Sequence, residues 1–331
     1  MNNLTRKRLL SLARLAKLQS MIRWSGQSVI FPFYHTISDQ DLPHISHLYK
    51  LIKTVDFERD LDQLLKLFEP LSMGEYLDKP EGKRRKPAMV LTFDDGLKGC
   101  HELIAPLLRR KGIPATFFLN NKFIDNKALF YRYKASLLIH QIREDCRAKE
   151  RVSEFLKISQ EQVEASIMMI GYDQRALLDA LARQVELDFS TYLRFKPVYM
   201  NSSEIKELLD WGFTIGAHSS DHRDFGGLKR EEMIEQVGVS IKDLQDRFNI
   251  STRYFSFPFT SDGVPKGVIN KLLDEKVATM LMGTSGLKRT GKAGYMQRIP
   301  MEQYEISALE ALKVEYLYFL LKGPLGRNSL R

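Results

Sequence analysis

Met89-Val90-Leu91-Thr92-Phe93-Asp94-Asp95-Gly96 carries an apolar run straight into two adjacent carboxylates and a glycine. The run reads as a buried strand. Two charges at its end are costly to bury unless a cation or a hydrogen-bond network offsets them. Asp-Asp-Gly also has a plain reading as a turn, with an aspartate capping the next helix. Adjacent side chains diverge, so one carboxylate can face a cation while the other faces a reacting water. Outward from this point, similar runs rich in β-branched and aromatic residues occur at 29–34, 88–93, 115–119, 213–217, 254–257 and 277–282. Residues 57–68 and 101–111 show apolar positions at three- and four-residue spacing between them. The alternation predicts parallel strands joined by crossover helices, a fold whose sites assemble in the loops after the strands' carboxyl ends.

The second informative stretch is Gly216-Ala217-His218-Ser219-Ser220-Asp221-His222. Asn201 and Ser202 look like caps for a helix over 204–211, and Gly212 ends it before the strand that leads to His218. Two histidines four residues apart converge on one ion if a single helical turn follows the strand. With Asp95 they make three protein ligands and leave a position open, as catalytic sites do. Such a donor set suits Zn2+, with Co2+, Ni2+ or Fe2+ as other occupants.

Thr92-Phe93-Asp94-Asp95-Gly96 and His218-Ser219-Ser220-Asp221-His222 resemble the first and second motifs of the polysaccharide deacetylase superfamily, carbohydrate esterase family four. Phe33-Tyr34-His35-Thr36-Ile37 resembles the amino-terminal Tyr-His element of the branch that deacetylates poly-N-acetylglucosamine. The resemblance implies an α/β fold, a distorted (β/α) barrel, and removal of acetyl groups from an N- or O-acetylated glycan or glycan precursor. It implies that Asp94 is the general base and that Asp95, His218 and His222 hold the metal. His35 would protonate the departing amine, because no histidine follows His222. Phe255-Ser256-Phe257-Pro258-Phe259 resembles the third motif, so the Phe259 backbone N–H would meet the oxyanion. That motif normally places a base-orienting arginine two residues before its proline, and here Ser256 stands there. Arg298, in Gln297-Arg298-Ile299-Pro300, is the arginine expected to pair with Asp94 instead; its other reading is a surface arginine.

Two other functions stay open at this point. One is a carbohydrate-binding protein that keeps the metal site without turnover. The other is a metal hydrolase acting on amides or phosphate esters outside the sugars, although no phosphate-cradling Gly-rich loop is present.

The chain has 50 basic and 41 acidic residues, a net charge of +9, with the excess at its start and in Lys83-Arg84-Arg85-Lys86. This suits an anionic surface; no nucleic-acid-binding module is recognisable, so no nucleic acid is expected as partner. Residues 4–24 read as a basic amphipathic helix that packs on the domain, with peripheral membrane contact as its alternative. No secretory signal or membrane-spanning stretch is read. With Cys100 and Cys146 as the two cysteines, the expected location is the cytoplasm or its membrane surface. The expected organisation is an amino-terminal helix over 1–28 and a barrel over 29–310 with a helical insertion at 126–200. A final helix and tail cover 311–331, with an apolar stretch at 314–321. The insertion, with helical patterns at 158–170 and 174–185, is expected to pack on the barrel and form one wall of the substrate cleft. His44 and His47 lack a third ligand and read as substrate or surface contacts, His101 and His140 as structural or exposed.

Overall fold

The computed structural model describes residues 3–79, 85–302 and 306–330; Lys83 and Arg84 of the basic run lie outside them. The strands are β1 (Val29–Ile30), β2 (Pro32–Tyr34), β3 (Glu69–Pro70), β4 (Ala88–Met89), β5 (Leu91–Phe93), β6 (Ala115–Leu119), β7 (Thr214–Ala217), β8 (Tyr254–Ser256), β9 (Met280–Gly283), β10 (Tyr295–Gln297) and β11 (Ile299–Pro300). Eight of them form one parallel sheet in the order β10-β9-β8-β7-β6-β5-β2-β11. The two edges of that sheet are consecutive in sequence, separated only by Arg298. One extended segment therefore pairs with β9 on one side and β2 on the other, and the sheet is a nearly closed barrel surrounded by helices. Arg298 N–H donates to Gly283 O at 3.0 Å and Ile299 N–H to Phe31 O at 2.9 Å across this seam. A small parallel sheet, β1-β4-β3, continues the barrel at its amino end.

Strand alternation decides which side chains meet. Leu91, Phe93, Phe117, Ile215, Phe255 and Leu281 pack outward into the main core beneath the helices. Val90, Phe118, Met280 and Met282 cluster with Phe31 on the opposite face. Each such burial stabilises the fold by roughly 1.5–3 kcal/mol before chain entropy is counted. Helices Tyr131–Glu144, Cys146–Leu156, Val163–Met169, Ala176–Gln184 and Phe189–Phe195 make up the insertion, which has a core of its own around Leu138, Val152, Ile167 and Leu181.

The expected single helix over 4–24 is two, Asn3–Leu15 and Leu18–Ser25, broken where Lys17 is extended with ψ 122°. Leu9, Ala13, Leu18, Met21 and Ile22 are buried in the core shared with helix Ala308–Lys322. The strand expected over 277–282 begins only at Met280, because Lys276 adopts φ 55° and the chain is still turning. Pro106, which lacks an N–H, follows a π-turn over Cys100–Ile104 where a regular helix was expected. Among the described residues no helix is long and apolar enough to cross a membrane.

Candidate active site

Asp94 and Asp95 leave β5 at the barrel mouth with their backbone turned sharply: Asp95 has φ 71° and Gly96 φ 67°. A Cβ on Gly96 would lie 2.9 Å from Leu119 Cδ2, so both conformation and space call for glycine. The loop after β7 is not the helical turn expected of it. Ser219 (φ 64°) and His222 (φ 58°) are left-handed, and Ser219 Oγ accepts the His222 N–H at 3.0 Å, bringing the two imidazoles together. Left-handed non-glycine residues cost energy and gather where a site over-determines them.

Asp95, His218 and His222 are all buried, and one ligand atom from each lies within 4.8 Å of the others. Asp95 Oδ1 is 3.2 Å from His222 Nε2 and 3.5 Å from His218 Nε2, yet it is buried with no hydrogen bond among the described residues. An orphaned carboxylate oxygen facing two ring nitrogens is a donor set that fits a divalent cation. Ser256 O lies 2.9 Å from His218 Nδ1, which leaves Nε2 directed at the cluster. Burial lowers the His218 pKa to about 4, so its ring is neutral and able to ligate near neutral pH. Burial would raise the Asp95 pKa, but the neighbouring histidines, His222 foremost, hold it well below the usual range.

Asp94 is gripped by Arg298, whose Nη1 and Nη2 donate to Oδ1 and Oδ2 at 2.7 and 2.6 Å. Arg298 is fully buried rather than a surface residue, with its guanidinium 4.3 Å from the Phe33 ring centroid. Ser256, which sequence reasoning treated only as a departure, has a partner role: its Oγ accepts from Arg298 Nη2 at 2.5 Å and lies 3.3 Å from Asp94 Oδ2. Burial opposes ionisation of Asp94, but Arg298 outweighs it and keeps the carboxyl below its ordinary range.

His35 stands at the end of β2. Its Nδ1 is 2.5 Å from Glu302 Oε2, and Glu302 Oε1 accepts the His35 and Thr36 N–H groups at 2.7 and 3.2 Å. Burial lowers the His35 pKa, but Glu302 more than reverses this and carries it to about 9, so the ring is protonated near neutral pH. Glu302 is a residue the sequence reading missed. The signal was there, an acidic residue two positions past the apolar strand that follows Arg298.

These groups share a cleft of about 490 Å³, whose lining includes His35, Tyr49, Asp94, Asp95, His218 and His222. Phe259 (φ 56°) lines it too, its ring 4.6 Å from that of His222. The insertion contributes Arg132, Tyr133 and Met168 to one wall. His44 and His47 are not brought to this site. His44 is buried against Tyr192, its Nδ1 2.9 Å from that hydroxyl, and burial lowers its pKa to about 4; His47 meets Ser136. His101 stacks on Trp211 and bonds Glu207, and the His140 ring lies 6.5 Å from that of His47.

The solved structure of IcaB from Ammonifex degensii is similar to the chain at 14% identity and TM-score 0.55, over 87% of this chain and 97% of that one. The Streptococcus pyogenes deacetylase PplD, solved with acetate, is similar at 12% identity and TM-score 0.54 over the same shares. The putative polysaccharide deacetylase BA0330 from Bacillus anthracis is similar at 14% identity and TM-score 0.52, over 87% of this chain and 68% of that one. At such identities these likenesses show the fold. No curated protein matches the chain in sequence. The profile of the polysaccharide deacetylase family matches residues 81–274, more than half of the chain and inclusive of both the Asp94-Asp95 and the His218–His222 segments, and the chain belongs to that family.

Proposed function

We propose that this protein is a divalent-metal-dependent hydrolase that removes acetyl groups from an N- or O-acetylated carbohydrate. The observation that carries the reading is the convergence, on one cleft, of the Asp95-His218-His222 cluster, the Arg298-held Asp94 and the Glu302-held His35. A divalent ion, Zn2+ by the nature of the donors, supplies Lewis acidity there when bound. Asp94, ionised and fixed in direction, takes the proton of the attacking water. His35, protonated near neutral pH because its pKa is raised to about 9, gives a proton to the departing amine or alcohol. The Phe259 backbone N–H serves the oxyanion. The aromatic side chains of Tyr49 and Phe259, which line the cleft, suit contact with a sugar ring.

The family assignment supports a glycan substrate, and the acetate in PplD supports acetyl release as the reaction. A binding protein without turnover would have no need of a base clamped by arginine and a paired acid. The test is acetate release from a panel of N- and O-acetylated oligosaccharides by metal-loaded wild type, Asp94→Asn and His35→Ala. Glycan binding without acetate release by wild type would favour the silent alternative.

Leu12, Leu15 and Trp24 are exposed on the amino-terminal helices beside Arg14, Lys17 and Arg23. This supports weak contact with an anionic lipid surface at the membrane's cytoplasmic face. Co-sedimentation with anionic vesicles, lost on Leu15→Glu/Trp24→Glu, tests it.

A further inference from the structure

The insertion does more than wall the cleft. Tyr133, in the first turn of helix Tyr131–Glu144, donates its hydroxyl to Asp95 Oδ2 at 2.8 Å. Its ring is wedged among those of Phe130, His44 and Tyr199, at centroid distances of 5.1, 5.4 and 6.3 Å, and is 1% exposed. The packing therefore fixes the hydroxyl oxygen beside Asp95 Oδ2. Asp95 Oδ2 is pinned, and the other oxygen, Oδ1, faces the two imidazoles without a hydrogen bond among the described residues. Just before the same helix, Phe130 lays its ring 4.4 Å from that of His222, whose Nδ1 is buried with no hydrogen bond among the described residues. Packing between Phe130 and Phe259 sets the plane of that imidazole in place of the usual partner on its second nitrogen.

We propose that the insertion is a working part of the metal site, with Tyr133 as the positioning residue that holds Asp95 as a one-oxygen ligand. The inference rests on the metal-site reading above and deepens it. A carboxylate with both oxygens free can rotate or chelate; one with an oxygen held by a rigid neutral phenol presents the other in a fixed direction. Groups that orient ligands in this way typically tune metal affinity by about 10- to 100-fold.

The test uses full-length protein and Co2+ as the probe, titrated against a competing chelator, with the visible Co2+ absorption recorded alongside. Tyr133→Phe keeps the ring packing and deletes one oxygen. It is expected to bind Co2+ about 10- to 100-fold more weakly, with altered absorption as the freed Oδ2 joins the coordination. Tyr192→Phe removes another insertion hydroxyl, one bonded to His44 and not to a ligand, and is expected to match wild type in affinity and spectrum. Wild-type affinity in Tyr133→Phe, or an equal loss in Tyr192→Phe, overturns the proposal. Should Tyr133→Phe also unfold earlier without metal, the spectrum of its folded fraction decides, and unchanged bands overturn the idea. Failure of wild type to bind Co2+ would instead bring down the metal-site reading itself, and this proposal with it.

Discussion

Ser256 Oγ and Arg298 Nη2 lie 2.5 Å apart, though 42 residues separate them in sequence. The small side chain on β8 leaves room for a guanidinium arriving from between β10 and β11, and the two then share Asp94. An arginine expected from β8 is thus supplied by the junction between β10 and β11, and the carboxylate keeps its partner. Arg298→Lys loses the planar two-point grip and is expected to lower kcat/KM about 100-fold. Arg298→Ala leaves a buried carboxylate unpaired and is expected to cost roughly 3–5 kcal/mol of stability as well. Acetate-release kinetics and denaturant unfolding measure the two effects, and a fully active Arg298→Ala would remove Arg298 from the site.

Chelation followed by dialysis is expected to abolish acetate release, and added Zn2+ or Co2+ to restore it. His218→Ala and His222→Ala should not recover at the same metal concentration. Metal binding should raise the unfolding temperature of wild type, since an ion that binds only the folded chain stabilises it. Full activity after exhaustive chelation would contradict the reading.

The Glu302–His35 pair predicts the alkaline side of the pH profile. The imidazolium can deliver a proton only below its pKa of about 9, so kcat/KM should hold at neutral pH and fall as pH rises through that value. Glu302→Gln removes the negative charge that favours the protonated ring, so the fall should move to lower pH. The same pairing contributes stability fully present below the unfolded histidine pKa of about 6.5. That contribution is lost as pH rises through the folded value. An unmoved alkaline limb in Glu302→Gln would show that another group sets it.

Gly96→Ala must hold φ near +67° and press a methyl toward Leu119, at an expected cost of roughly 1–3 kcal/mol. Because Asp95 is the preceding residue, metal affinity should fall with stability. Thermal unfolding with and without metal separates the two effects, and a variant as stable as wild type would show that the turn can relax.

The sequence was most legible where strand, charge and glycine coincide. Asp94, Asp95, His218, His222 and His35 all follow apolar runs, and the structure brings all five to one cleft. Residues 115–119 match β6 because a short run with Thr116, Phe117 and Phe118, set off by Gly112 and Pro114, favours a buried strand over a helix. Arg298, by contrast, sits between strands of three and two residues, too short for alternation to register. Tyr133 could not be found from spacing at all. It lies in a helix whose pattern reports the insertion's own core, while one hydroxyl serves a loop 38 residues earlier.

Both edges of the sheet are laced by the single segment that carries Arg298. Breathing at this junction, the place where the ring is held by one stretch of chain, would carry the guanidinium away from Asp94 while the surrounding helices stayed folded. Heat or mild denaturant should then silence the protein while its circular dichroism still looks native, so loss of turnover would be an early gauge of local opening rather than of collapse.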